Sequence, residues 1–237
     1  MEVADGVHRF GTRMVNWYLI ERGGRLTLVD AGMRGYWPQL TAALRDLGRK
    51  VEEVEAVVLT HAHADHIGFT HQVKANSDAT VWVHEADAAP GFRRFPPLRL
   101  YARPTAWPLL VHGLRNGLLA TPDAAEVRTY TDGEVLDVPG RPRAHHLPGH
   151  TRGNCALHLA DASVVFSGDA LVTFDPYRRR RGPRLLIKGV NEDNDQARAS
   201  LDQLAELNAG LLLPGHGEPW RDGVAAAVAE ARAHGYW

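Results

Sequence analysis

Residues 61–66 read His-Ala-His-Ala-Asp-His, three imidazoles and a carboxylate inside six positions. His61 and His63 stand two apart, so an extended backbone projects both to one side, where they can chelate a single ion. Asp65 and His66 are neighbours and point differently. One ion serving all four would need a contorted backbone, whereas two ions roughly 3.5 to 4 Å apart accept them readily. The spacing therefore predicts two metals. A purely structural zinc site is four-coordinate, closed and usually rich in cysteine, and this chain has one cysteine, Cys155. Imidazoles mixed with carboxylates leave coordination positions for water, which is the arrangement that catalysis uses.

Four places share one pattern: an apolar strand run, a small or turn-forming residue, then a metal-binding side chain. VVLT precedes His61, HLPG precedes His150, VVFSG precedes Asp169 and LLLPG precedes His216. A lone histidine is most often a surface residue or a hydrogen-bonded core residue. Repetition of the pattern is what argues for a metal centre. If the strands lie side by side and parallel, all these side chains emerge along one rim.

The elements needed to hold them can be read along the chain. Residues 14–30 predict a hairpin turning at Arg22-Gly23-Gly24-Arg25. Leu40, Ala43, Leu44 and Leu47 have helical spacing, and Gly48 is a plausible stop. Strands are expected at 54–60 and 80–87 with a helix between them. Further strands are expected at EVRTY, EVLDV, RAHHL, NCALHLA, SVVFSG and LLLPG. A helix from Asp195 to Leu207 is expected to be capped by Asn194, and a last helix runs over 224–233. Residues 90–122 are rich in proline, arginine and aromatics, with a short helix in LLVHGLRNGLLA; the segment reads as an insertion covering something rather than a linker. Strands in both halves, interleaved with helices, argue for packed sheets covered by helices.

Taken together, the motifs resemble the metallo-β-lactamase superfamily. VDAG (29–32), THAHADHIG (60–68), PGHTRGN (148–154), FSGDA (166–170) and LPGHG (213–217) fall in that family's order. The resemblance implies an α/β fold, a four-layer αββα sandwich of two mixed β-sheets flanked by helices, with residues 1–237 as one domain. It implies that His61, His63 and His150 hold a first metal, that Asp65, His66 and His216 hold a second, and that Asp169 bridges them. Asp30 is implied to steady the histidine loop through hydrogen bonds; a simple turn aspartate is the alternative. The chemistry implied is hydrolysis, because two cations lower the pKa of a water between them to roughly 7 and polarise the group under attack. Asp65 and Asp169 are the candidate catalytic carboxylates, Asp65 for handling a proton. Zinc is the expected metal, although nitrogen and oxygen donors also accept iron or manganese.

Departures from known subfamilies narrow the reading. The commonest secreted β-lactamases carry cysteine where this chain has Asp169. Glyoxalase II enzymes add a helical domain after the last ligand, where only residues 217–237 remain here. The acyl homoserine lactonases carry tyrosine three residues after the bridging aspartate, and Val172 stands at that position. An ester, thioester or lactone is the expected substrate, anionic or acyl-bearing, with a phosphodiester and a non-catalytic metal-binding role as alternatives. Specificity would come from the 90–122 insertion, which offers Phe92, Phe95, Tyr101 and Trp107 as an apolar lid; a satellite core is the competing reading. It would come also from the loop after Asp169, which offers Tyr177, Arg179 and Arg180. The run Arg178–Arg181 is either solvated surface or an anion-binding rim.

Composition excludes other classes. The formal net charge of -1 gives no basic footprint for nucleic acid, and 44% hydrophobic residues suffice for a core. No apolar run approaches the roughly 20 residues of a membrane span, so neither a nucleic-acid nor a membrane partner is expected. The amino terminus has no secretory pattern, which makes the cytoplasm the expected compartment.

Overall fold

A computed structural model describes residues 1–88, 97–120 and 126–235. Phe92 and Phe95 of the expected lid lie outside the described residues. The first sheet has seven strands in the order β1 (Glu2–Ala4), β2 (Val7–Thr12), β3 (Val15–Arg22), β4 (Arg25–Val29), β5 (Val54–Val58), β6 (Thr80–His84) and β7 (Val127–Tyr130). It is antiparallel from β1 to β4 and parallel from β4 to β7. The second sheet holds β8 (Arg143–His146), β9 (Cys155–Leu159), β10 (Val164–Gly168) and β13 (Leu211–Pro214), in the order β13-β10-β9-β8. Between β10 and β13 in sequence, β11 (Val172–Asp175) and β12 (Arg180–Arg184) form a separate hairpin.

Side-chain alternation along the strands decides which layer each residue enters. In β3, Trp17 and Leu19 face one core while Tyr18 and Ile20 face another. The first core is closed by α1 (Trp37–Asp46) and α2 (Thr70–Asn76), which contribute Leu40, Leu44 and Val73. The second lies between the sheets, where Tyr18, Val29 and Val58 meet Leu157, Phe166 and Leu213. On the far side of the second sheet, Val165 and Leu212 pack under α4 (Asn194–Ala205) and α5 (Val224–Ala233), through Leu201, Leu204, Val224 and Val228. The layers are thus helix, sheet, sheet, helix, as expected. No helix among the described residues is long and apolar enough to cross a membrane.

This topology puts the pattern of strand ends to use. β10 is parallel to β13, and β8 points the same way because β9 is antiparallel to both β8 and β10. Their carboxyl ends lead to His150, Asp169 and His216. In the first sheet, parallel β4 and β5 lead to Asp30 and His61.

Three local expectations need correction. Residues 134–138 are not a strand: only the single bridge Val135 to Arg143 forms, and the segment turns at Gly140, which holds φ +89. Its apolar pattern is real but serves burial, since Leu136 and Val138 fill the core between the sheets. The cap of α4 is Asp193, whose carboxylate accepts the N–H groups of Asp195 at 2.9 Å and Gln196 at 3.0 Å, and Asn194 is already helical. The segment after Asp169 is the β11–β12 hairpin rather than a loop, with Val172 and Phe174 buried.

The 90–122 insertion carries α3 (Trp107–Arg115). Its described residues, 97–120, pack at both ends on the rest of the chain. Leu100, Ala106 and Leu109 form a cluster with Val172, Tyr177, Leu186, Ile187 and Val190. At the other end the Gly35 amide donates to the Asn116 carbonyl at 2.8 Å, and Tyr36 Oη and His112 Nε2 share a hydrogen bond of 2.5 Å.

Candidate metal centre

The strand ends bring the predicted donors together in two abutting groups. The ligand atoms of His61, His63, His150 and Asp169 all lie within 4.8 Å of one another, and so do those of Asp65, His66 and His216. Asp169 stands at the join. Its Oδ2 is 3.0 Å from His216 Nε2, 3.3 Å from His150 Nε2 and 3.9 Å from His61 Nε2, while its Oδ1 is 3.7 Å from His66 Nε2. Asp65 Oδ2 lies 3.8 Å from His216 Nε2 and 4.0 Å from His66 Nε2. All are buried except Asp65, whose side chain is 15% exposed and marks the side open to solvent.

Each ring is oriented by what its other nitrogen touches. His61 Nδ1 is 3.0 Å from Thr60 Oγ1, which in turn donates to Asp30. His66 Nδ1 donates to Asp30 Oδ2 at 2.9 Å, His150 Nδ1 to Asn191 Oδ1 at 3.1 Å, and His216 Nδ1 to the Met14 carbonyl. A proton fixed on Nδ1 turns Nε2 inward, and there His216 Nε2 donates to Asp169 Oδ2 at 3.0 Å. His63 is the exception, presenting Nδ1 at 2.9 Å from His150 Nε2. Asp30 therefore does more than shape a turn. It holds φ +59, is 2% exposed, and accepts the Thr60 amide at 2.8 Å besides the two side chains.

The pocket fits cations. His61 Nε2, His66 Nε2 and Asp169 Oδ1 are buried with no hydrogen-bond partner, and leaving such a group unsatisfied costs about 1 to 3 kcal/mol each. A cation among them would supply the missing partner. The electrostatics agree. Burial alone would raise the Asp169 carboxyl, yet His216, His66 and His150 reverse this and hold it well below the usual carboxylate range. Burial disfavours protonated His66, but Asp30, Asp169 and Asp65 outweigh it and push that imidazole up to about 10. Burial lowers His61 and His150, with neighbouring imidazoles adding to the effect. The negative potential that raises His66 would equally attract a metal ion, in competition with that proton.

A model of the metallo-β-lactamase superfamily matches residues 10–216, a span that holds every one of these donors. The chain belongs to that superfamily. With relatives named as metallo-hydrolase and hydroxyacylglutathione hydrolase, the chain is a metal-dependent hydrolase of that superfamily. It is similar to the probable metallo-hydrolase YflN of Bacillus subtilis, with 27% identity over 92% of this chain and 86% of the relative. It is similar also to a hydroxyacylglutathione hydrolase of Cereibacter sphaeroides, with 30% identity over 63% of this chain and 44% of that protein. Among solved structures it resembles TTHA1623 in a di-iron-bound form, with a TM-score of 0.65, 28% identity, and coverage of 92% of this chain and 96% of that one.

The residues expected at the substrate divide into two sets. Tyr101 and Tyr177 come together with rings 5.9 Å apart, and both hydroxyls lie in the field of the Asp65 carboxylate. Burial pushes Tyr101 up to about 12 and Tyr177 well above the usual phenol range, with Asp65 adding to both. They remain hydrogen-bond donors at neutral pH. Trp107 does not join them; it is 59% exposed on the outer face of α3. Arg179 and Arg180 are exposed where the hairpin turns, close after Tyr177 in sequence, and Arg179 adopts φ +57.

One candidate residue escaped the sequence reading. Asp87 is fully buried and its carboxylate ties both donor loops: Oδ2 accepts the Ala62 amide at 3.0 Å and Thr151 Oγ1 at 2.7 Å, and Oδ1 accepts the Gly153 amide at 2.8 Å. Its signal was available, because Asp87 follows the end of β6 as the other donors follow their strands, though it binds two backbone amides and a threonine hydroxyl rather than facing the donor cluster. Asp87→Asn replaces one acceptor oxygen with a donor aimed at another donor. Metal affinity is expected to fall on the order of 10- to 100-fold, read by chelator competition. Unchanged affinity would reduce Asp87 to a packing residue.

Proposed function

We propose that this protein is a dinuclear hydrolase that cleaves an acyl bond, in an ester, thioester or lactone. The observation that carries the reading is the pair of abutting donor groups joined at Asp169, with orphaned nitrogens and oxygen aimed between them. His61, His63 and His150 would hold one ion and Asp65, His66 and His216 the other, with Asp169 shared. When bound, such ions lower the pKa of water to about 7 and polarise the bond under attack.

The chain's own residues do the rest. Thr60, Asp30, Asn191 and the Met14 carbonyl hold four of the rings in place, so that filling the pocket would displace protons rather than swing those rings. Tyr101, which accepts a hydrogen bond from Tyr177, would donate its own to the substrate from the side of Asp65, the partly open donor that would also carry a proton. The insertion, seated on the β11–β12 hairpin, would exclude water from above these hydroxyls. The relative named hydroxyacylglutathione hydrolase supports a thioester within the class.

Zinc is the metal we propose, and iron is the competitor that the di-iron relative supports. The lone cysteine is buried in β9 and asks for no oxidising compartment, so we place the protein in the cytoplasm.

Two measurements test this. Elemental analysis of the purified protein is expected to return two transition-metal ions per chain, and a panel of thioesters, lactones, esters and phosphodiesters is expected to show turnover of an acyl substrate that chelation abolishes. Faster turnover of a phosphodiester would displace the reading, and silence across the panel with metal bound would favour a non-catalytic role. Within the panel, replacing Arg179 and Arg180 with alanine is expected to raise KM roughly fivefold to tenfold for anionic substrates only, and less at high salt, since both side chains are exposed. Equal effects on neutral substrates would leave the arginines as solvated surface.

A further inference from the structure

Helix α3, WPLLVHGLR, is apolar nearly all round, the composition of a helix buried on every side. Only one face of it is buried. Leu109 packs on the hairpin cluster, and Gly113 approaches Leu118. The opposite face presents Trp107, Val111 and Leu114, spaced i, i+4 and i+7, at 59%, 44% and 52% exposure, with Leu119 beside them at 66%. Apart from Met1, these are all the exposed large apolar side chains among the described residues. The same segment is charged in one sense. Residues 88–122 contain five arginines and neither Asp nor Glu. Arg99, Arg103 and Arg115 are exposed and have no carboxylate partner among the described residues.

We propose that this face of α3 lies on an anionic lipid surface, with Trp107, Val111 and Leu114 entering the boundary between headgroups and acyl chains and the arginines binding lipid phosphate. A second copy of the chain is a poor occupant, because a two-fold contact would bring two copies of this arginine-bearing, acid-free segment together. An acidic protein would satisfy the arginines, but the stripe itself offers only the Trp107 indole N–H for directional bonding. A lipid surface asks for no such matching and supplies both apolar chains and anions. A helix lying on the membrane needs no spanning segment, so the lack of one does not bear on this surface.

The test uses the whole metal-loaded protein with vesicles of phosphatidylglycerol and phosphatidylcholine, compared with vesicles of phosphatidylcholine alone. At low salt, the partition coefficient from co-sedimentation is expected to be at least about tenfold higher on the anionic vesicles, with a blue shift of tryptophan emission that Trp107→Phe removes. Val111→Ser combined with Leu114→Ser is expected to lower the partition by at least about tenfold, metal content and melting temperature being unchanged. The proposal is overturned if neither vesicle binds, or if the double variant binds as well as the parent, which would mean adsorption through charge alone. Self-association lost in the double variant would assign the face to a second copy, and equal retention by polyglutamate to an acidic protein. None of these readouts needs turnover, so the result stands apart from the hydrolase reading.

Discussion

Replacing Asp169 with asparagine is expected to leave a folded protein whose turnover has fallen at least about a thousandfold, equivalent to about 4 kcal/mol in the barrier. The substitution preserves volume and removes function for two separate reasons. It places an N–H₂ group or a neutral oxygen where Oδ1 and Oδ2 lie 3.0 to 3.9 Å from the nitrogens of His216, His150, His66 and His61. It also deletes the charge that balances the imidazoles, the interaction that holds this carboxyl well below its usual range. Elemental analysis should show the metal content reduced from two ions to one or none, while circular dichroism should be unchanged. Full turnover with full metal content would remove Asp169 from the centre and with it the dinuclear reading.

A methyl group added at Gly215 should be nearly as damaging, although this residue has no side chain to offer the centre. A Cβ built there would stand 2.2 Å from Asp169 Oδ1, 2.7 Å from His66 Cε1 and 3.2 Å from the Gly168 carbonyl. Gly215 is not among the glycines with positive φ, so the obstacle is space rather than backbone strain. Relief requires either that Asp169 swing away or that the β10 and β13 ends separate, and overpacking of this kind costs about 1 to 3 kcal/mol in stability. Both routes spread the donors. Gly215→Ala is expected to lose on the order of 100-fold in metal affinity, the upper end of what disturbed ligand support produces, with activity lost in proportion. Chelator competition and thermal melting would measure the two effects. Gly210→Ala, where the added Cβ meets only Ser163 Oγ at 3.6 Å, is the matched control and should behave as the parent. Parity between the two variants would show that the β13 end yields without cost.

The clustering of the candidate donors was readable from sequence because its signal is local: imidazoles two apart, and a donor just past each apolar strand. Asp30 was readable in position but not in weight, since its bonds to Thr60 and His66 cross from one strand end to another. Asp87 was missed for the same reason, as its partners at 62, 151 and 153 are near it only once both sheets are assembled. The β11–β12 hairpin was hidden by its own arginines. Alternation of Val172 and Phe174 is a short signal, and Arg178 to Arg181 reads as solvent-facing loop whether or not two of them belong to a strand. Trp107 shows the converse failure. Aromatic composition suggested an inner lid surface, but periodicity alone does not say which face of a helix finds a neighbour, and at α3 both faces are apolar.

The donors come from the ends of two sheets that meet through an apolar layer of Tyr18, Val58, Phe166 and Leu213 and are tied near the centre by hydrogen bonds from the Cys155 amide to the Thr60 carbonyl at 2.9 Å and from the Asn16 amide to the Gly215 carbonyl at 2.8 Å. Such a centre works as a gauge of alignment across that seam. A slide of one sheet over the other by an ångström would leave the ladders within each sheet intact while breaking those ties and moving His61 and His66 away from Asp169 and His216. Alterations buried deep in that apolar layer should therefore register first as slackened grip on the ions, well before the fold itself gives way.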